Sequence, residues 1–291
     1  MRVHITDVFL RDGLQDEHVI VSTEDKLAIA TRLEDAGVTR IEVGSFVNPA
    51  RVPQMADSAA LFARRPARRA RWAALALNGR GIARAVEAQA DLIEVVASAS
   101  QAHSTANAGR PTADALADLG EHVRSTLAEH PDTQFVAGIS TAFTCPFEGA
   151  IDPETVLTMV RAFAEMGIRR VGLADTLGNT PPETVLATLD VVRTAEPDLE
   201  YSLHLHNAHG RALETVSATV AEGIDQFDSA LGGYGGCPFA PGAAGNIDTL
   251  ALVRHLHREG HETGIDEHRL AELTARAQLT VSESPALAAV G

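Results

Sequence analysis

The chain has 291 residues, of which 45% are hydrophobic, and its formal net charge is -15. This charge argues against nonspecific binding to nucleic acid or acidic membranes, where Lys and Arg supply most of the affinity for phosphate. No apolar stretch approaches the roughly 20 residues that cross a bilayer. Because the first residues show no secretory signal and 2 cysteines are too few for a disulfide framework, we expect a cytoplasmic protein.

Short β-rich segments alternate with longer helical segments along the chain. The 8 predicted strands are VHITDVFL, RIEVGSF, RWAALALN, DLIEVVAS, QFVAGISTAF, RRVGLADT, EYSLHLHN and IDQFDSAL. Helical segments such as TEDKLAIATRLEDAG and DPETVLTMVRAFAEMG lie between them, with caps expected at Ser22 or Thr23, Asp152 and Thr180. A strand followed by a helix, repeated in this way, predicts an α/β fold, the (β/α)8 TIM barrel.

Additional C-terminal helices are predicted at 247–259 and 266–278, and nothing resembling a linker interrupts the order. We therefore expect a single TIM-barrel catalytic domain over residues 1–291. A doubly wound open sheet is the alternative fold. It is disfavoured because no predicted strand runs into a G-x-G-x-x-G turn that opens a helix.

Polar residues collect where the predicted strands end, which is the face of a TIM barrel that carries active sites. Each of the first, second, third, fourth, sixth and seventh strands contributes at least one. The residues are Arg11 and Asp12, Glu42 and Ser45, Asn78, Ser98 and Ser100, Asp175 and Thr176, and His204 and His206.

His204 and His206 lie two residues apart in a predicted strand, so both imidazoles face the same side. With the carboxylate of Asp12 they could hold one divalent ion. Mg²⁺ or Mn²⁺ is expected, although two histidines and a carboxylate also suit Fe²⁺, Co²⁺ or Zn²⁺. The alternative is that these are ordinary histidines of a half-buried strand.

A glycine-rich segment, GGYGGCPFAPGAAGN, follows the eighth predicted strand. Such a loop at a barrel mouth commonly closes over substrate. Cys237 lies among its glycines, where no packing reason for a thiol is evident, and a catalytic role is favoured. For Cys145, after the fifth strand, a packing role is equally consistent.

Four segments, LRDGLQDE, EVGSFVNPARVPQMAD, HLHNAHG and GGYGGCPFAPGAAGN, resemble the 3-hydroxy-3-methylglutaryl-CoA lyase family in order and spacing. The resemblance implies a set of metal ligands, catalytic residues and substrate-binding residues. It implies that Asp12, His204, His206 and Asn246 bind the metal, that Arg11 stabilises an enolate oxygen, that Cys237 transfers a proton, that Glu42 and Asp7 match acidic positions of the site, and that Gln15, Ser45, Asn78 and Asp175 bind substrate.

The resemblance further implies a metal-dependent carbon–carbon lyase that cleaves a 3-hydroxyacyl thioester by a retro-Claisen reaction, giving acetyl-CoA and a keto acid. Thr105 and Ala106 stand where the animal lyases carry consecutive lysines, so a related 3-hydroxy-3-alkyl acyl-CoA or an acid without CoA stays open. The expected partners are an acyl-CoA or keto-acid small molecule and a second copy of the chain in a homodimer.

Two other functions are compatible with the same barrel mouth. One is a metal-dependent aldolase or Claisen synthase that acts on pyruvate or another α-keto acid. The other is a non-catalytic barrel that serves as a ligand sensor or scaffold. The cysteine-bearing loop disfavours the aldolase, and the full set of catalytic residue types disfavours the scaffold.

Overall fold

A computed structural model describes residues 1–66, 70–236 and 245–287. Within these residues a closed barrel of 8 parallel strands confirms the predicted (β/α)8 fold. The barrel strands are β1 (His4–Asp7), β2 (Arg40–Ser45), β3 (Arg71–Ala76), β4 (Leu92–Ser98), β5 (Phe135–Ser140), β8 (Arg170–Asp175), β9 (Glu200–Leu205) and β10 (Gln226–Ser229). A small hairpin of β6 (Thr144–Cys145) and β7 (Gly149–Ala150) lies outside the barrel.

Helices surround the barrel and alternate with its strands. They are α1 (Thr23–Asp35), α2 (Ser58–Ala63), α3 (Gly79–Glu87), α4 (Gln101–Ala108), α5 (Thr112–Glu129), α6 (Pro153–Glu165), α7 (Pro182–Ala195), α8 (Ala212–Ala221), α9 (Thr249–Arg258) and α10 (Glu267–Glu283). The outward strand residues pack against these helices; Val43, Trp72 and Leu203 are fully buried. None of the described helices is both long and apolar enough to cross a bilayer.

The predicted helix starts are mostly reproduced. Ser22 caps α1 by accepting a hydrogen bond from the Asp25 amide, and Asp152 caps α6. The expected cap at Thr180 is wrong, because α7 is preceded by Pro181 and has no side-chain cap. The hydroxyl of Thr180 instead donates a hydrogen bond to Asp175.

Backbone hydrogen bonds join the segments on either side of α10 to the first part of the chain. The amide of Val3 donates to the carbonyl of Glu262 at 2.8 Å, and the amide of Leu287 donates to the carbonyl of His18 at 2.8 Å. β1 also pairs with β10, which closes the barrel. The segments that flank the predicted C-terminal helix α10 are therefore hydrogen-bonded to the first 18 residues.

The inside of the barrel is polar. Neighbouring strands of a TIM barrel are staggered by about one residue, so the inward side chains of alternate strands form layers of four. Following the strand register around the barrel puts three carboxylates and a glycine in one layer. Its members are Glu42 on β2, Glu94 on β4, Gly172 on β8 and Asp228 on β10. A cavity of about 530 Å³ extends from the C-terminal mouth past this layer to Arg40, Arg170 and Gln226 at the starts of their strands.

Candidate active site

Asp12, His204 and His206 come together at the C-terminal mouth of the barrel. Asp12 lies in a short π-helical turn shortly after β1, His204 lies near the end of β9, and His206 directly follows that strand. The Nε2 atoms of His204 and His206 are 3.2 Å apart, and each is 3.8 Å from Asp12 Oδ2. Metal bonds of about 2.0–2.2 Å place neighbouring ligand atoms roughly 3–3.6 Å apart, so the separation of the two imidazoles fits one ion, and Asp12 would have to move closer by a small fraction of an ångström.

The ring of His204 is oriented by a residue on the neighbouring strand. Its Nδ1 atom is 3.2 Å from Oδ2 of Asp228, which can only accept, so Nδ1 carries the proton and Nε2 is free to ligate. Burial alone would lower the pKa of His204, but the hydrogen bond to Asp228 and the charge of Asp12 raise it. Burial and the neighbouring His204 lower the pKa of His206 to about 4, so His206 is neutral at neutral pH.

Asn246 adds an amide to the cluster from the far end of the chain. Its Nδ2 atom donates to Asp12 Oδ2 at 2.7 Å and to the carbonyl of Tyr234 at 2.9 Å. Its Oδ1 atom is buried and receives no hydrogen bond from the described part of the chain. A buried oxygen without a donor beside a carboxylate and two imidazoles fits an oxygen-preferring divalent cation.

The glycine-rich loop approaches this cluster closely at Gly235. A Cβ atom at this position would lie 2.5 Å from Asn246 Nδ2 and 3.0 Å from Asp12 Oδ2, and φ is +94°. Only glycine combines this conformation with this approach. The loop backbone therefore covers one side of the cluster, and the donor set fits a divalent metal.

Arg11 holds a fixed positive charge beside the cluster. Its Nε atom donates to Glu42 Oε2 at 2.6 Å, and its Nη1 atom pairs with Asp12 Oδ1. All three side chains are buried. Burial disfavours the charged guanidinium, but Glu42 and Asp12 raise the pKa of Arg11. Burial also disfavours the charged form of Asp12, but Arg11 and the two histidines hold the pKa of Asp12 well below its usual range.

Asp7 supports the turn that carries Arg11 and Asp12. Its Oδ1 atom accepts from the amide of Phe9 at 3.0 Å, and its Oδ2 atom lies 2.7 Å from the hydroxyl of Thr249. Complete burial raises the pKa of Asp7 to about 7. This acid anchors the end of β1 and does not line the cavity.

Two of the four predicted substrate-binding residues line the cavity. Gln15 lies there, with its Nε2 atom 3.3 Å from Asp12 Oδ1. Asn78 also lines the cavity, and its Oδ1 atom caps α3 by accepting from the amide of Gly81. Their role in substrate binding stays a prediction.

The structure does not bring Ser45 and Asp175 into the cavity lining. The Ser45 amide donates to the hydroxyl of Ser58, and the Ser45 hydroxyl to the carbonyl of Leu75. Asp175 accepts hydrogen bonds from Gly178 and from the amide and hydroxyl of Thr180. Both side chains therefore form hydrogen bonds with backbone groups of neighbouring segments and hold those segments in place.

The structure describes only one of the two cysteines, Cys145. Cys237 lies outside the described residues. Cys145 is buried, with its Sγ atom 2.9 Å from the hydroxyl of Ser100. This setting agrees with the packing role that the sequence left open for Cys145.

Two acidic residues of the barrel interior, Asp228 and Glu94, were not predicted as functional. Both lie in strands at positions whose side chains alternate with apolar neighbours, as in DLIEVVAS and IDQFDSAL. The presence of a charged residue in a predicted barrel strand could have identified them, because the inward layers of a TIM barrel are usually filled by Val, Ile and Leu.

The mouth of the cavity carries hydrogen-bonding and cationic side chains. Its rim includes Asn48, Arg51, His103, Asn107 and Arg110. The two arginines supply positive charge on an otherwise acidic protein. An anionic group entering the mouth would meet them first.

The closed barrel and the buried Asp–His–His cluster at its C-terminal mouth define a (β/α)8-barrel enzyme with a candidate metal centre. The sequence profile of the HMGL-like family matches residues 2–276. The chain therefore belongs to this family, and it is a carbon–carbon lyase.

Characterised relatives cover nearly the whole chain. The (R)-citramalyl-CoA lyase of Chloroflexus aurantiacus is 38% identical over 91% of this chain and 86% of its own length. The 3-hydroxy-3-isohexenylglutaryl-CoA/hydroxy-methylglutaryl-CoA lyase of Pseudomonas aeruginosa is 35% identical over 97% of this chain and 94% of its own length. The structure of an HMG-CoA lyase from Acinetobacter baumannii in complex with coenzyme A and 3-methylmalate has a TM-score of 0.91 and 36% identity, and the match covers 99% of this chain and 93% of that one.

Proposed function

We propose that this protein is a divalent-metal-dependent lyase that cleaves a 3-hydroxyacyl-CoA by a retro-Claisen reaction. The substrate is a 3-hydroxy-3-methylglutaryl-CoA-like or citramalyl-CoA-like thioester, and the products are acetyl-CoA and a keto acid. The observation that carries this proposal is the convergence of both histidine Nε2 atoms on Asp12, with Arg11 paired to the same carboxylate. The names of the relatives support the acyl-CoA substrate.

Asp12, His204, His206 and Asn246 would hold Mg²⁺ or Mn²⁺. A bound divalent ion polarises the substrate oxygens and lowers the pKa of the tertiary hydroxyl. The protein residues around it bind and orient the acyl group so that the hydroxyl and carboxylate oxygens face the metal ligands.

Arg11 stabilises the negative charge that develops on the thioester oxygen as the carbon–carbon bond breaks. The guanidinium is pre-oriented by Glu42 and Asp12, so it does not have to reorganise during the reaction. Cys237 supplies the proton that converts the acetyl-CoA enolate to acetyl-CoA, because a thiol is acidic enough to transfer a proton near neutral pH. The proton that the tertiary hydroxyl releases restores the thiol, so the cycle consumes no net proton. Gln15 and Asn78 contact the substrate from the cavity wall.

The proposal is tested by turnover with defined substrates and metals. The purified protein is stripped with a chelator, reloaded with Mg²⁺ or Mn²⁺, and given HMG-CoA, (R)-citramalyl-CoA or pyruvate with an aldehyde. We expect metal-dependent acetyl-CoA release from at least one thioester. Aldol turnover of pyruvate without thioester cleavage would favour the aldolase, and metal binding without any turnover would favour a sensor. The cytoplasmic location and the homodimer stay predictions.

A further inference from the structure

The floor of the barrel, at the N-terminal ends of its strands, carries two arginines. Each strand that contributes to the layer of carboxylates also contributes a side chain two positions earlier in the sequence, and all four of these side chains line the cavity. They are Arg40 on β2, Leu92 on β4, Arg170 on β8 and Gln226 on β10. Because the inward layers of a TIM barrel are usually filled by Val, Ile and Leu, two cationic side chains at this depth need partners.

The charges of the two arginines are balanced differently. The Nε and Nη2 atoms of Arg170 donate to Oε2 of Glu200 at 3.0 and 2.8 Å. The Nη1 atom of Arg40 donates to the neutral Oε1 of Gln226 at 2.6 Å, and Arg40 forms no ion pair with any carboxylate in the described ranges. Arg40 therefore brings a positive charge to the cavity floor without a bound carboxylate.

The other charges near Arg40 do not compensate for this. Burial and the positive charges of Arg170 and Arg71 lower the pKa of Arg40, against smaller opposite effects of Glu200 and Asp228. An anion beside the Arg40 guanidinium would offset the repulsion between these like charges.

Two hydroxyl groups of the same cavity also lack partners. The side chains of Thr6 on β1 and Ser202 on β9 line the cavity and form no hydrogen bond within the described part of the chain. Ser202 is only 8% exposed, and buried hydroxyl groups are normally hydrogen-bonded. A Cβ atom at Gly172 would lie 3.0 Å from Ser202 Oγ, so glycine at this position keeps the space beside the hydroxyl open.

Strand order brings these donors to one side of the cavity. The strands β9, β10, β1 and β2 are consecutive in the barrel wall. Thr6 is the register partner of Arg40, and Gln226, which is hydrogen-bonded to Arg40, lies on the strand between those of Ser202 and Thr6. A guanidinium group and two hydroxyl groups thus line one continuous stretch of wall.

We propose that the barrel floor is a binding site for a small monovalent anion, either a halide or a short carboxylate, held by Arg40 with the hydroxyls of Thr6 and Ser202. Guanidinium N–H groups and hydroxyls donate hydrogen bonds to anions, and those to a charged partner are the strong ones. The site lies at the opposite end of the barrel from the Asp12–His204–His206 cluster. It does not depend on the proposed lyase reaction.

Thermal unfolding of the chelator-treated protein tests the site. Sodium chloride or sodium formate is increased while sodium gluconate, a much larger anion, keeps the ionic strength constant. We expect a saturable rise in Tm of about 2 °C at roughly tenfold excess over the dissociation constant of chloride or formate. The salt with the lower dissociation constant distinguishes a halide site from a carboxylate site. A Tm that is the same in all three salts would contradict the proposal.

Three variants assign the response to the floor. Arg40→Met removes the unpaired charge and should abolish the response, and Ser202→Ala should raise the dissociation constant by about tenfold. Arg71→Met is the matched control, because Arg71 is the register partner of Arg40 on β3 but donates to Gln134 and does not line the cavity. It should respond as the wild type does. A response that persists in Arg40→Met, or is lost equally in Arg71→Met, would overturn the proposal.

Anomalous scattering from crystals in sodium bromide locates the anion without relying on the stability of a variant. We expect a bromide peak in contact with the Arg40 guanidinium and the Ser202 hydroxyl, and formate should displace it. Bromide peaks confined to the outer surface would indicate an adventitious ion only, and water would then be the sole partner of these groups.

Discussion

Asp228 and His204 lie opposite each other on the paired strands β10 and β9, and Asp228 Oδ2 accepts the hydrogen bond of His204 Nδ1 at 3.2 Å. Strand register, and not sequence proximity, creates this contact. It fixes the tautomer in which His204 Nε2 faces His206 and Asp12. The carboxylate is therefore part of the candidate metal centre without being a ligand.

Removal of the Asp228 carboxylate should weaken metal binding. We expect Asp228→Ala to lower Mn²⁺ affinity by about 10–100-fold, because loss of the partner of a ligating histidine typically has an effect of this size. Calorimetric titration of the metal-free protein measures it. Asp228→Asn, which still presents an oxygen acceptor to Nδ1, serves as the matched control and should lose much less. Equal affinities in the wild type and Asp228→Ala would refute the orienting role.

Arg11 should matter for catalysis more than for metal binding. Arg11→Met keeps much of the side-chain volume and removes the charge, so we expect kcat for thioester cleavage to fall by about 10²–10³, as for loss of one oxyanion-stabilising donor. Metal stoichiometry should be unchanged. The control is Arg64→Met, since Arg64 pairs with Glu24 on the exposed surface. Loss of metal in Arg11→Met would instead indicate that Arg11 only organises Asp12.

The two cysteines form a natural pair for comparison. Cys237→Ser should bind metal and unfold at the wild-type temperature but lose most turnover, because a hydroxyl is far less acidic than a thiol. Cys145→Ser should keep turnover, since the Cys145 thiol is buried against Ser100. Substrate should protect Cys237 from alkylation. Near-normal turnover in Cys237→Ser would remove the thiol from the mechanism.

Asp7 should make folding stability depend on pH. Its pKa is raised from 3.8 to about 7 by burial, so the folded state binds more protons than the unfolded state between these values. The stabilising contribution of Asp7 is complete below about pH 4 and is lost as the pH rises towards 7, at up to about 1.4 kcal/mol per pH unit.

Urea unfolding of the chelator-treated protein from pH 5 to pH 8 measures this effect. Asp7→Asn mimics the neutral acid, with an oxygen for the Phe9 amide and an N–H₂ group for Thr249. The free energy of unfolding of the wild type should fall relative to Asp7→Asn up to about pH 7 and then level off. A constant difference between the two proteins would show that Asp7 is ionised in the fold.

The barrel could be predicted because its signal is local and repeated. Each strand and helix has its own hydrophobic period, and one wrong boundary, such as the cap at Thr180, does not change the order of elements. The histidine pair was also predictable, since i and i+2 share a strand face. These features need no knowledge of which strands are neighbours.

The partners of the predicted residues were harder to obtain. The contact of Asp228 with His204 depends on the register around the closed barrel, which one sequence does not show. The same limit affected Ser45 and Asp175, whose side chains form hydrogen bonds with the Leu75 carbonyl and with Thr180. A polar residue at a strand end can satisfy neighbouring backbone as easily as it can face a ligand.

The cluster joins Asp12 to Asn246, which are 234 positions apart in the chain. During synthesis Asp12 leaves the ribosome 234 residues before Asn246, which follows only after the last barrel strand. A half-made chain therefore lacks a complete set of donors, so the proposed metal would be unable to act as a template for early folding. Tight binding of the proposed ion would be available only to chains in which β10 already pairs with β1.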